Sequence, residues 1–481
     1  MKHYRGYIPT IGIEIHVQLN TKQKIFCFCT NESGIKEPNK NICPICCGYP
    51  GTLPLMNKDV IDSAIKVGLS TNCIMTMRNQ FARKHYFYAD LPKGYQITQS
   101  DLPICQEGFV EIISDDKETK KIRIKRIHME EDAGKNLHSD QYGSLVDLNR
   151  AGTPLLEIVT YPDISSAEEA YAYLKKVYMI VTALGVTSGN MEDGAFRADT
   201  NISVRKIGQN EFGTKCELKN INSFKFIKDA TAYEIDRQID ALEAGEMIVQ
   251  QTRLWDTKEK KTYGMRDKET AADYRYLPDP DIPWVVLSEE QIEFVRRTLP
   301  ELPDQTLVRL QKDYQLSVGD AEILLSDLSL LRYFEKTYAL FQSKLVINWL
   351  LRDLIGLVKE KNIIVEDILL TPGRFALLLK MIDCKEISAS GAKIVLNALL
   401  INDACPMEYA KQHNLLIEKI NVADLKLMIE NILIENQAVV EELRAGKEKA
   451  RGFLIGKVMA VYKGKVDPIL VNKLFDEIIS L

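Results

Sequence analysis

The chain reads as an α+β domain followed by all-α helical modules, and three observations lead there. Up to about residue 285, glycines, prolines and short alternating apolar–polar segments dominate. The stretch Leu277-Pro-Asp-Pro-Asp-Ile-Pro-Trp284 then punctuates the chain, because closely spaced X-Pro steps resist both helix and ladder. Beyond it the sequence is poor in Gly and Pro and apolar at helical spacing. The expected division is 1–285, an α+β catalytic-type domain, 286–405, a helical domain, and 406–481, a helical tail, with a softer boundary near Asp403 to Met407.

Strands are expected at Ile11–Gln18, Lys121–Lys125, Leu155–Thr160 and Asp199–Arg205, where side chains alternate with period two. Asp59–Leu69 reads as a helix. So does Ser165–Leu184, with Ser165 or Ser166 as its cap and Gly185 as its stop. Ser223–Ala244 places Ile227, Ile235, Ile239 and Leu242 on one face and ends at Gly245. In the second half, helices are expected over Ser288–Arg297, Pro303–Asp313, Val318–Gln342 and Val346–Glu360, then from Thr371-Pro-Gly-Arg374 onward. Asn421 to Asp424 opens the last segment, which carries a basic run, Arg444 to Lys465.

With 481 residues the chain exceeds one core and should split into several domains. A net charge of −5 gives no global nucleic-acid signature, so any RNA binding must use local patches and shape. The N-terminus lacks the apolar core of a signal peptide, and the longest apolar runs, such as Leu345–Leu351, fall short of a membrane span. A cytoplasmic protein is expected, and its ten cysteines are not expected to form a disulfide framework there.

In Ile11-Gly-Ile-Glu-Ile-His-Val-Gln-Leu19 the isoleucines and Val17 point one way and Glu14, His16 and Gln18 the other. An ordinary half-exposed strand has the same pattern. Glu157, flanked by apolar residues on both sides in Pro154-Leu-Leu-Glu-Ile-Val-Thr160, must be paired, protonated or bound to a cation if its strand is buried. The acidic run His128-Met-Glu-Glu-Asp132 and the polar face Arg197, Asp199, Asn201, Ser203 add further charge. Acidic strands that converge suit a Mg²⁺-type oxygen-ligand site for phosphoryl chemistry. A P-loop and a dinucleotide fingerprint are both absent from the sequence. Handling of ATP here would therefore use a carboxylate-lined sheet.

Cys27-Phe-Cys29 and Cys43-Pro-Ile-Cys46 form two close thiol pairs on either side of a loop, with Cys47 an ambiguous fifth. Four thiolates suit tetrahedral, structural Zn²⁺; unmetallated buried cysteines are the alternative. Phe81 to Tyr95 concentrates cations and aromatics, a mixture that grips phosphates and stacks on bases, or packs as an aromatic loop. The tail cations Arg444, Lys447, Lys449, Arg451, Lys457, Lys463 and Lys465 suit either a solvated helix face or an RNA backbone.

Six stretches carry a resemblance to one family: Gly12–Leu19, Tyr86–Gln99, His128–Lys135, Arg150–Val159, Lys219–Phe224 and Asp273–Pro280. They resemble the B-subunit family of GatCAB-type tRNA-dependent amidotransferases, and Arg444–Lys457 resembles that family's YqeY-like tail. The likeness covers nearly the whole chain in the family's order. It implies an N-terminal cradle similar to the glutamine synthetase/guanido kinase fold, followed by helical and tail domains that dock tRNA. It further implies ATP- and Mg²⁺-dependent phosphorylation of the side-chain carboxylate of Glu-tRNA(Gln) or Asp-tRNA(Asn). Ammonia from a partner amidase (A) subunit then completes amidation, and a small C subunit joins the heterotrimer. By position, Glu14, His16, Glu131 and Glu157 would line the Mg²⁺ site, with Asp199 beside it. Glu130 is the alternative to Glu131. Lys93, Arg197 and Lys219 would hold phosphate, ordinary ion pairs being the other reading. The cysteine motif Cys27, Cys29, Cys43, Cys46 occurs in some members, where it would bind Zn²⁺. Ala89 and Ala198 depart from the Pro and Cys expected of the family, neither at a ligand position. A non-catalytic tRNA-binding scaffold is the competing reading.

Overall fold

The computed structural model describes residues 4–32, 34–139, 143–191, 193–219, 221, 223–265, 274–417, 422–444, 448–461 and 468–479. Of the positions singled out above, Asn220, Asn222, Asp273, Asn421, Lys447, Lys463 and Lys465 lie outside them. The chain forms two compact units, residues 1–308 and 309–481.

The first unit is built on a nine-stranded sheet. Its strands are β1 (Tyr7–Gln18), β2 (Ile74–Met75), β3 (Cys105–Ile113), β4 (Thr119–Glu131), β5 (Pro154–Thr160), β6 (Phe196–Lys206), β7 (Cys216–Lys219), β8 (Thr252–Asp256) and β9 (Lys261–Gly264). Their spatial order is β9-β8-β7-β6-β1-β5-β4-β3-β2, so the N-terminal strand is the centre. It pairs antiparallel with β5 on one side and β6 on the other. Ile11, Ile13, Ile15 and Val17 are fully buried on one face of β1, as the alternation requires.

That face is covered by α1 (Lys58–Ser70), α2 (Ala167–Ala183) and α3 (Phe224–Glu243), whose Ile65, Leu174, Val177, Ile227 and Ile235 join the strands' apolar residues in one core. From the opposite face the polar residues of β1, β4, β5 and β6 project into an open cavity. The helix ends are set locally. Ser166, not Ser165, caps α2 by accepting the Glu169 backbone N–H at 3.0 Å. Ser223 caps α3 through the Phe226 N–H. Gly185 and Gly245 follow the two helices at φ +66° and +78°, a left-handed stop that other residues resist.

A small sheet of Ala82–His85, Tyr95–Thr98 and Leu277–Pro278 stands at the end of β4. The Pro-rich stretch is thus docked and does not run free. Leu277 and Pro278 pair with Arg83 and Ala82, and Asp279, buried, accepts from Arg83 Nε at 2.8 Å. Helix α4 (Glu289–Arg297) follows it and buries Ile292 and Val295 in the same core. For that reason the first unit continues to Val308.

The second unit is helical. The run expected over 318–342 is two helices, Val318–Leu325 and Leu328–Leu340. Asp327 separates them: its backbone is extended, and its carboxylate takes the N–H groups of Ser329 and Leu330. Lys344–Trp349, a π turn at Leu350–Leu354 and Ile355–Glu360 fill the next expected helix. At the end of the chain Leu425, Ile429, Leu454, Val458, Val471 and Phe475 form a separate small core.

Removing the α2 cap tests this construction. Ser166→Ala should cost about 1–2 kcal/mol, because a buried cap oxygen is lost from a helix that fixes the sheet. Ser166→Asp should retain most of the stability in urea titrations.

Candidate active site

The strand register brings the candidate side chains into one row. His16 on β1 lies opposite Glu157 on β5, and Glu157 opposite His128 on β4. On the other side His16 faces Arg197 on β6. Two residues back along β1, on the same face, Glu14 lies opposite Asp199. Glu130, two residues after His128, shares its face.

Two carboxylates and two imidazoles interlock at the centre. His16 Nε2 lies 3.4 Å from both Glu130 and Glu157. His128 Nε2 lies 3.5 Å from Glu130 and 3.2 Å from Glu157. The Thr98 hydroxyl donates to Glu130 at 3.0 Å, and Arg126 approaches Glu157 at 4.0 Å. Donor atoms of His16, Glu130 and Glu157 all fall within 4.8 Å of one another, close enough to converge on one cation.

Burial works against every charge here, so the pairing must outweigh it. Burial disfavours imidazolium, yet Glu130 and Glu157 raise His16 to about 10 and His128 to about 9. Burial likewise opposes Glu130, but His128 and His16 hold it at about 2, and they hold Glu157 well below the usual carboxylate range. Glu14 is shifted the other way. Burial raises it, and Glu157, Glu217 and Asp199 add repulsion.

A cavity of about 720 Å³ contains this row, with Glu14, His16, Glu157, Asp199, Arg197 and Lys219 all on its wall. Lys219 pairs with Asp199 at 3.2 Å and Glu217 at 3.1 Å. Arg197 donates to the buried Asp132 at 3.0 Å, and Gln18 donates to the same carboxylate at 2.8 Å. Asn201 reaches Glu14 at 3.4 Å.

Two expected residues lie elsewhere. Glu131 projects from the opposite face of β4, where it pairs with Lys93 and accepts from the Ile97 N–H at 2.9 Å. The residue that faces His16 is Glu130. The reason is strand parity: Glu131 falls in phase with the core residues Ile127 and Met129. Lys93 follows Glu131 to a second cavity of about 240 Å³ beside Cys27 and Cys46. Sequence reasoning does not single out His128, Asp132 and Arg126 as individual site residues. Extending the period two of Lys121–Lys125 misplaces them, because Ile122 and Ile124 would carry residues 126, 128 and 130 into the core; a register shift opposite Val159 and Thr160 reverses the phase, so that Ile127 and Met129 point inward instead.

Cys27, Cys29, Cys43 and Cys46 bring their sulfurs within 4.8 Å of one another, and Cys47 is not in that group. The Cys43 and Cys46 sulfurs are 3.8 Å apart. Four thiolates at Zn–S bond length sit roughly 3.8 Å apart at tetrahedral angles, so the donor set fits zinc. A hydrogen bond from the Cys27 thiol draws Cys46 down to about 4, helped by the Cys43 N–H and the cation of the buried Lys24.

The histidine shifts give a pH dependence with a definite sign. Both folded-state values lie above the ordinary 6.5. The stabilisation is therefore complete below pH 6.5 and disappears as pH rises through 9 and 10. In the metal-free protein, histidine side-chain NMR should show two imidazoles still protonated at about pH 8, and Glu157→Gln should return both toward ordinary titration. If His16 and His128 of the unaltered protein titrate in the ordinary histidine range, this electrostatic arrangement is contradicted.

Comparison with known proteins identifies the family. Residues 9–293 match the GatB/GatE catalytic domain, and residues 332–479 match the GatB domain of the YqeY type. The aspartyl/glutamyl-tRNA(Asn/Gln) amidotransferase B subunit of Trichlorobacter lovleyi is 47% identical over 470 residues, 98% of each chain. The protein of the same name from Geobacter sp. (strain M21) is 48% identical over 473 residues, 97% of this chain and 98% of its own. That from Persephonella marina is 45% identical over 474 residues, covering 98% and 99%. With the cavity on a catalytic-domain match and the likeness running end to end, this chain belongs to the GatB family.

Proposed function

We propose that the open face of the sheet activates the side-chain carboxylate of glutamate or aspartate esterified to tRNA, as the B subunit of a tRNA-dependent amidotransferase. The observation that carries this reading is the pair of buried carboxylates, Glu130 and Glu157, set between two imidazoles on the floor of a cavity flanked by cations. A carboxylate pair kept ionised in a desolvated site is a receptor for a divalent cation.

In the proposed reaction, a carboxylate oxygen of the substrate attacks the γ-phosphorus of ATP and ADP leaves. Ammonia then attacks the acyl carbon, loses a proton and expels phosphate, leaving the amide. Glu130, Glu157 and His16 would hold Mg²⁺, which supplies charge neutralisation on the phosphates. His16 must shed its proton to serve as a ligand, whereas His128, behind the pair, can keep its own and orient both carboxylates. Glu14 and Asp199 extend the acidic wall toward β7, and Lys219 and Arg197, on the same wall, would meet phosphate oxygens. A triphosphate would compete with their present carboxylate partners, and the buried Asp132 would keep Gln18 and Arg150 when Arg197 turned to phosphate. Lys93, paired on the far face, has no part in this step.

Residues 1–285 would do this chemistry in a cradle of the glutamine synthetase/guanido kinase type, with 286–405 and 406–481 docking the tRNA. Ammonia would come from an A (amidase) subunit, with a small C subunit completing the heterotrimer. Zn²⁺ in the four-cysteine group would serve structure, since four protein ligands leave no open position. Among the described residues no helix is long and apolar enough to cross a membrane, and the proposed workplace is the cytoplasm.

Glu157→Gln is the direct test. In the complex with its partner subunits, ATP-dependent activation should fall at least about a hundredfold, since metal-assisted charge stabilisation is worth several kcal/mol. Affinity for tRNA should remain close to normal. Turnover that persists in this variant would remove the assigned site. For the cysteines, Cys43→Ser should lower bound zinc, measured by elemental analysis; unchanged zinc content would refute that assignment.

A further inference from the structure

The aromatic segment that the sequence singles out has no role in the chemistry so far. Its placement gives it one. Tyr86 and Tyr276 line the large cavity, and Tyr274 bridges them, with ring centroids 5.9 Å from Tyr86 and 6.2 Å from Tyr276. Tyr88 extends the chain outward, 5.9 Å from Tyr86. The four rings meet edge to face, with interplanar angles of 66–77°. Each such contact covers one ring face, and Tyr276 and Tyr88 remain 47% and 66% exposed. The backbone under them is held: the His85 N–H donates to the Tyr274 carbonyl at 2.8 Å, and Leu277 pairs with Arg83. Lys84 sits among the rings, its Nζ 4.7 Å from the Tyr274 centroid.

We infer that this tyrosine wall is the stacking platform for the unpaired 3′-terminal nucleotides of the acylated RNA, and that the triphosphate enters from the opposite flank. The inference rests on the proposed function, and it specifies how the two substrates divide the cavity. Phosphoryl transfer places the attacking and leaving oxygens roughly in line across the phosphorus. A site with its cation held by Glu130 and Glu157 must therefore receive its two substrates from opposite sides. On the side of β6 and β7 stand Lys219 and Arg197, and those two strands contribute no tyrosine to the cavity's wall. On the side of β4 and the small sheet stand the tyrosines, with Lys84, Lys125 and Arg126 on the same cavity wall. Aromatic faces interleaved with scattered cations suit a single-stranded chain end, in which each base stacks and each phosphate finds a nearby charge. Burial, then Glu157 and Glu130, pushes the Tyr276 phenol up to about 12, and burial also raises Tyr86.

The test compares a tRNA carrying its intact 3′ end with the same tRNA shortened by its terminal adenosine. Both are bound, uncharged and without ATP, to the complex with its partner subunits. The unaltered complex should prefer the intact RNA about tenfold, the worth of one stacked base. Tyr276→Ala and Tyr86→Ala should bind the two RNAs alike, while Tyr276→Phe and Tyr86→Phe keep the preference and the KM for ATP stays within about twofold in each. Tyr276→Leu, which retains bulk without a π face, should behave as the alanine variant and guards against a folding defect. Discrimination that survives in the Ala and Leu variants overturns the inference. So does a rise in the KM for ATP with RNA discrimination intact, which would make the wall a nucleotide-base pocket. Because binding is read without turnover, a failure of the activation chemistry and a failure of the stacking platform give separate signals.

Discussion

Everything in the site depends on two carboxylates being kept ionised where water is scarce. Glu130 and Glu157 sit side by side on adjacent strands, the first almost fully buried, and each alone would carry a large desolvation cost. Two imidazoles from two other positions in the row offset it. No single strand contains the balance: His16 comes from β1, Glu157 from β5, and His128 and Glu130 from β4. The antiparallel register is thus the structural parameter that the chemistry is built on. A slip of one residue in any of the three strands would turn a charged group into the core and an isoleucine into the cavity.

The same parity explains what can and cannot be read from the sequence. Alternation in Ile11–Gln18 is explicit, and it places Glu14 and His16 together on the open face. Glu157 stands out because a carboxylate between apolar neighbours demands an explanation. Neither observation, however, says which residue of β4 meets them, since that depends on how separate segments of the chain pair. The His128–Asp132 run offers two adjacent glutamates on opposite faces, and the phase set by Ile122 and Ile124 points to the wrong one, because a register shift opposite Val159 and Thr160 reverses it before Ile127 and Met129. Helix boundaries, by contrast, are written locally in Ser166, Ser223, Gly185 and Gly245. The break at Asp327 is hidden because an apolar run of the right period conceals a single aspartate whose side chain caps the following turn.

Glu131 and Lys93, displaced from the cation row, connect two parts of the unit. Gly48, at φ +67° beside the cysteines, lies so close to Lys93 that an added Cβ would meet the lysine stem at 2.7 Å and its backbone at 3.1 Å. Lys93 in turn neutralises Glu131, which also takes the Ile97 N–H. The next residue of that short strand, Thr98, fixes Glu130 through its hydroxyl. A second route runs through Gly152, which approaches Cys46 on one side and donates its N–H to the Asp132 carbonyl at 3.0 Å on the other. The cysteine group therefore packs directly on the backbone that presents the acidic residues.

This arrangement separates rigidity from charge. The cysteine loop, Lys93 and Glu131 lie on the face of β4 that belongs to the core side, where a paired ion is fixed and contributes no reactive group. The cavity face holds groups whose partners are other charges of the site, such as Lys219 with Asp199 and Arg197 with Asp132. If Arg197 turned to a substrate's phosphate, the buried Asp132 would keep Gln18 at 2.8 Å and Arg150 at 3.6 Å, whereas breaking Lys93 from Glu131 leaves a buried carboxylate without its cation. One strand can serve both purposes because successive residues face opposite ways. The adjacent glutamates of β4 are chemically identical, and their different roles follow from the face on which each one falls.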